Sequence, residues 1–211
     1  MRHLHPSVAI GLIALLLAGC FGGGASLGPT ESAAISTPRI SSTPATSDKP
    51  EGSQPSAEPI PSENLEPFTC DLPIHEDATV PRANITDVRV GTHADYDRVV
   101  FEFADGLPEM TLDRAEPPFT QDASDMPIEV GGSSFLRLTM RGGTKQTEEG
   151  TSSYDGPIEF ESGFSTLVHL VEGGDFEAQS TWYFGLSSEA CVRVLTLTDD
   201  GAPRMVIDVE H

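Results

Sequence analysis

Cysteine is scarce in this chain, with only Cys20, Cys70 and Cys191 in 211 residues. Lysine is scarcer still, at Lys49 and Lys145 alone, and tryptophan occurs once, at Trp182. The 12 basic residues stand against 33 acidic ones, for a formal charge of −21. A chain so poor in cations has no patch to neutralise a phosphate backbone, which argues against nucleic-acid binding. Anionic lipid headgroups repel it for the same reason, while the surplus charge supports solubility. Catalytic signatures are missing too: there is no Gly-x-Ser-x-Gly elbow, no His-Glu-x-x-His pair and no phosphate-binding loop. His75, His93, His169 and His211 lack metal-ligand spacing. The expectation is a protein that is not an enzyme and takes no cofactor and no metal.

Long apolar runs are also lacking. The stretch VAIGLIALLLAG, residues 8–19, follows Arg2 with His3 and His5. It falls short of the about 20 apolar residues that cross a bilayer, and has the layout of a secretory signal. It ends in Leu17-Ala18-Gly19-Cys20, which resembles the bacterial lipobox. That resemblance implies cleavage before Cys20, a thioether-linked diacylglycerol on its sulfur, and a further acyl group, palmitate, on its amine. Each buried methylene is worth about 0.8 kcal/mol, so two or more chains hold a protein on a bilayer without a spanning helix. The alternative is an ordinary signal peptide with a chance cysteine. An odd cysteine count in an exported chain is what a lipidated Cys20 would leave.

From Cys20 to about Pro67 the sequence is rich in Gly, Ser, Thr, Ala, Pro and Glu and shows no periodicity. Such a composition cannot bury enough apolar surface to offset its ordering entropy, so residues 20–67 are expected to be a disordered tether. As a flexible coil it would span on the order of 35–40 Å. The organisation is therefore a signal peptide (1–19), a tether (20–67) and one domain (68–211), held at the outer face of the cell membrane.

Within 68–211 period-2 alternation takes over. Val99, Phe101 and Phe103 share one face of DRVVFEF (97–103), and Leu136, Leu138 and Met140 share one face of FLRLTM (135–140). ITDVRV, PIEF, TLVHLV, STWYFGL, CVRVLTL and PRMVIDV continue the pattern. Alternation with β-branched and aromatic residues marks half-buried strands. ADG, GGSS, RGGT, YDG, EGGD and TDDG supply turns between them. With no convincing amphipathic helix, this predicts an all-β fold, an antiparallel β-sandwich or barrel. Residues 118–127 and 144–156 read as long loops.

Cys70 at the domain's entrance and Cys191 at the start of a late strand remain as an even pair in an oxidising compartment. A disulfide between them would close about 120 residues and contribute roughly 5 kcal/mol in the chain-entropy model. Two buried free thiols are the other possibility.

Two stretches together carry a family resemblance. The first runs from Val88 through Gly91-Thr92-His93 and Tyr96-Asp97-Arg98 into an apolar strand. The second is Gly174-Asp175-Phe176-Glu177 with Thr181-Trp182 and Gly185-Leu186. With the terminal PRMVIDVE they resemble the AMIN-like domain of lipoproteins and secreted proteins of high-GC Gram-positive bacteria. This is a relative of the AMIN module that accompanies cell-wall amidases and secretins. The match covers about residues 84–210 and departs at Cys191, where an aromatic is usual. The resemblance implies a β-sandwich and an antiparallel architecture that binds or localises to the envelope, with peptidoglycan or another wall glycan as the partner. An interaction scaffold for an envelope protein, with no glycan ligand, is the alternative. No catalytic domain is expected to accompany it.

Single residues carry bland explanations beside functional ones. His169 alternates within an apolar strand and reads as a packed histidine. His93 sits beside Asp95 and Asp97, but the loop lacks the other ligand positions of a calcium loop. Asp97 and Arg98 read as a turn-stabilising polar pair. Trp182 and Tyr183 are strand neighbours and point to opposite faces. One fills the core; the other is either amphipathic surface or a platform for sugar C–H faces. Trp182, Tyr183 and His93 are thus the candidate binding residues.

Overall fold

The computed structural model describes residues 65–199 and 201–211. The expected signal peptide, the expected lipidation site Cys20 and the expected tether up to residue 64 lie outside the described residues.

Strands form where the sequence alternates. β1 (Ile74–Glu76) is short, β2 (Ala83–Thr92) and β3 (Tyr96–Phe103) make a long hairpin, and β4 (Glu109–Ala115) follows. β5 (Phe119–Thr120) and β6 (Pro127–Ile128) pair as a small arm. β7 (Ser134–Arg141) leads to β8 (Gly143–Thr144) and β9 (Glu159–Phe160). The C-terminal part is β10 (Leu167–Phe176), β11 (Gln179–Leu186), β12 (Val192–Leu197) and β13 (Arg204–Glu210). No helix occurs among the described residues.

The result is an all-β sandwich of antiparallel sheets. Six strands run in the order β1-β4-β7-β11-β10-β9 and five in the order β12-β13-β3-β2-β8. The short contact of Ala83 and Asn84 with Gly143 and Thr144 is parallel. Because side chains alternate along a strand, every second residue meets the facing sheet. Val99, Phe101 and Phe103 of β3 thus pack toward Leu136, Leu138 and Met140 of β7 and Trp182 and Phe184 of β11, and all of them are fully buried. Asp97 shares the inward parity of Val99 and Phe101. Its carboxylate accepts hydrogen bonds from the backbone N–H groups of Thr166 and Leu167, both at 2.8 Å, and so ties one sheet to the start of β10 in the other.

Two loops contain more structure than the sequence indicates. The segment 118–127 holds β5 and the first residue of β6, and the stretch beginning at Thr144 opens with the second residue of β8. The EGGD stretch, expected as a turn, lies inside β10, where the register with β11 shifts between Glu172 and Gly174. Gly174 has φ of 142°, a conformation that a side chain would oppose. The reversal comes later, at Glu177 and Ala178.

Cys70 and Cys191 are joined in a disulfide. Beside it, Thr69 and Val192 exchange backbone hydrogen bonds of 2.8 and 2.9 Å. The first described segment is thereby fastened to the edge of β12.

Candidate functional site

The Tyr96-Asp97-Arg98 step splits across the sheet rather than pairing within the turn. Asp97 faces inward. Burial acts to raise its pKa, but donation from Leu167, Thr166, Thr92 and His211 outweighs this and holds the carboxyl below its usual 3.8. Arg98 faces outward and pairs with Asp208, Nε to Oδ1 at 2.6 Å and Nη2 to Oδ2 at 3.0 Å. Arg193 reaches the same carboxylate from β12, with Nη2 at 2.6 Å and Nε at 3.0 Å. The register makes this possible, since Asp208 lies directly opposite both Arg98 and Arg193. Aromatic rings roof the group. The Arg193 guanidinium sits 4.4 Å from the Phe68 ring centroid and 5.1 Å from that of Tyr96. His93 stacks on the Tyr96 ring, with centroids 4.5 Å apart. Burial, then the nearby Arg98 charge, lowers its pKa below the usual 6.5. This first signature therefore builds a buried Arg–Asp–Arg clamp that secures the segment carrying Phe68.

The structure gives neither Trp182 nor Tyr183 an open face. Trp182 is wholly buried between the sheets, its edge against Phe101 at 5.3 Å and its indole N–H donated to Ser180 Oγ at 3.0 Å. Tyr183 does point to the opposite face, but the β5–β6 arm covers it: Phe119 packs on its ring at 4.8 Å. That arm, which the sequence presents only as a loop, leaves Tyr183 neither an exposed amphipathic side chain nor an open platform. His169 is packed, its Nδ1 accepting the Gly131 N–H at 2.9 Å. Gly185 is required by the strap that carries Gly131, since a Cβ there would lie 1.7 Å from the Gly131 carbonyl oxygen.

An accessible aromatic appears instead at the tip of the β10–β11 hairpin. Phe176 is 53% exposed, and it is the aromatic among the exposed large apolar side chains of the described residues. It lines a cleft of about 580 Å³ with Arg82, Thr144, Gln146, Asp175, Glu177 and Ala178. Asp175 is fixed there: one oxygen accepts from Thr144 Oγ1 at 2.7 Å and the other from the Lys145 N–H at 2.6 Å. Arg82 donates through Nη2 to the Gln146 carbonyl, which also accepts from Asn84 Nδ2 at 2.8 Å. Its Nε is buried without a protein partner.

The tip itself is held in a costly conformation. Glu177 and Ala178 have φ of 51° and 57°, both left-handed. A two-residue hairpin turn of this type favours Asn-Gly, and L side chains there cost of order 1 kcal/mol each. The Gly142 N–H donates to the Ala178 carbonyl at 2.8 Å and secures the tip against the end of β7. Strained backbone that the surroundings hold in place is characteristic of ligand-contact sites. Chemically, the cleft offers a flat apolar ring beside two carboxylates, an amide and a guanidinium. Among the described residues no group of three or more His, Cys, Asp or Glu side chains is placed to hold a metal ion.

No curated protein and no solved structure matches the chain. The family model of the AMIN-like domain matches residues 83–211, more than half of the sequence, and both signatures lie within it. AMIN-like domains are found in cell-envelope proteins, and the match points to a cell-wall-related binding module. The chain belongs to the AMIN-like domain family.

Proposed function

We propose that this protein is a lipid-anchored, non-catalytic module that binds peptidoglycan or another wall glycan through the hairpin-tip cleft. In this reading Cys20 carries the lipid at the outer face of the membrane, and residues 20–67 let the domain reach the wall. The observation that carries the proposal is Phe176, half exposed in a cleft with Asp175, Glu177, Gln146 and Arg82. Sugar rings present C–H faces that stack on an aromatic, and hydroxyl and acetamido groups that pair with carboxylates, amides and guanidinium. The cleft volume is within the range of small-ligand sites. The signature Gly174-Asp175-Phe176-Glu177 supplies the ring, the fixed carboxylate and the tip together.

Co-sedimentation with purified sacculi tests this. The wild-type protein pellets with them, whereas Phe176→Ala stays in the supernatant. Because Phe176 is exposed, its replacement shifts stability by no more than about 0.5 kcal/mol, which urea unfolding verifies. Equal retention of the folded variant overturns the site, and failure of the wild type to pellet overturns the glycan reading.

A further inference from the structure

On one flank of the sandwich both sheets end in strands with an open side. β8 covers β2 only at Ala83 and Asn84. Along residues 86–92, β2 therefore has β3 on one side and no strand on the other among the described residues. β9, at the edge of the six-stranded sheet, pairs with β10 alone. The opposite flank is closed at β12 by the Thr69–Val192 hydrogen bonds and the disulfide beside them.

The register shows which backbone groups the open edge presents. The His93 N–H donates to the Tyr96 carbonyl at 2.8 Å, so these two form a hydrogen-bonded pair. Hydrogen-bonded and non-hydrogen-bonded pairs alternate along an antiparallel ladder. Gly91–Arg98, Arg89–Val100 and Asp87–Glu102 are then the hydrogen-bonded pairs of β2 and β3. Val88, Val90 and Thr92 consequently turn their N–H and C=O groups outward.

A cleft of about 340 Å³ runs along this edge, with Val88 and Val90 on one wall and Pro157 and Phe160 on the other. Its charged lining is asymmetric. Arg89 is engaged by Asp87 at 2.5 Å and by Glu102 at 3.3 Å. Glu159 and Glu161 stand on the far wall. The Glu159 side chain is 56% exposed, and His169 Nε2 lies 3.1 Å from it. Val88 and Val90 are 3% and 4% exposed, so an extended chain entering here meets their outward backbone groups at the floor of the cleft, with carboxylates on the rim.

We propose that this flank docks an extended segment of a partner protein that carries lysine or arginine. The segment adds as a strand to β2 and sets its cations against Glu159 and Glu161. Backbone pairing supplies affinity and the side-chain contacts supply selectivity, as in other strand additions. The seven residues 86–92 extend over about 23 Å, which fits a segment of similar length. A second copy of this chain is a poor occupant, since its charge of −21 repels the same carboxylates. The proposal is independent of the glycan cleft.

The test uses a fluorescently labelled seven-residue peptide alternating lysine and valine, titrated with the full chain and read by anisotropy. Saturable binding is expected, together with slowed hydrogen exchange of the Val88 and Val90 amides. A peptide with glutamate in place of lysine should not bind. A version N-methylated at every backbone amide, which keeps the cations but cannot donate to a strand, should also fail. Glu159→Gln with Glu161→Gln should weaken binding about three- to tenfold, in line with two exposed ion pairs. The proposal is overturned if the lysine peptide does not bind, if the N-methylated peptide binds equally, or if protection falls outside β2. It is also overturned if sedimentation shows that the chain pairs with itself through this edge.

Discussion

Replacement of Asp208 by alanine should cost about 3–5 kcal/mol of stability, the range found when one partner of a buried ion pair is removed. Arg98 and Asp208 are both wholly buried, and the Arg193 side chain is 8% exposed. Four charge-assisted hydrogen bonds of 2.6–3.0 Å converge on this one carboxylate. Without it, two guanidinium groups remain side by side in a dry site with no anion between them. A domain of this size has about 5–15 kcal/mol in total, so the loss is a large fraction of it. Urea unfolding followed by the fluorescence of Trp182, the single tryptophan, measures it. Replacing the whole group, with Arg98→Met, Asp208→Leu and Arg193→Met together, should recover most of the loss, because no charge is then left unpaired. A cost below about 1 kcal/mol for Asp208→Ala would show that water reaches the clamp.

Trp182→Ala should cost a similar amount, about 3–5 kcal/mol, through a different physical cause. The indole is wholly buried between the sheets and meets Phe101 edge to face. Its removal leaves a void that the paired strands on either side cannot close, since β7 and β10 hold β11 in register along its length. Ser180 Oγ also loses the indole N–H. Circular dichroism during thermal unfolding reads the effect, and Trp182→Phe should be milder because it keeps part of the volume. The contrast with Phe176→Ala separates the two aromatics: one change removes the fold's support and the other removes only an exposed contact.

Much of the sandwich is legible in the sequence because its long strands bury one face. β2, β3, β7, β10, β11, β12 and β13 all show the alternation that a half-buried sheet imposes. β4 escapes notice for a definite reason. Its inward residues Met110 and Leu112 are fully buried, but they are only two, set among Thr111, Asp113 and Arg114. The two-residue strands β5, β6 and β8 are too short to have a period at all. The cleft at the hairpin tip was obscured by backbone irregularity. The register shift at Glu172 to Gly174 interrupts the alternation, and two adjacent glycines imitate a turn. The true turn, Glu177-Ala178, lacks the Asn-Gly signal that its conformation favours. Arg82 and Gln146 join Phe176 through tertiary structure alone, from positions about 90 and 30 residues away along the chain, respectively. The sequence does present Asp175 and Phe176 within a family signature, but it draws attention to the more conspicuous Trp182-Tyr183 pair.

The claim that the hairpin tip is the sugar contact is tested most directly by residue-resolved NMR of the protein titrated with a soluble wall-derived glycan fragment. The account predicts saturable amide shifts clustered at Arg82, Gln146 and Asp175 to Ala178, with Trp182 unmoved. Saturable shifts centred elsewhere, or none at all, would contradict it.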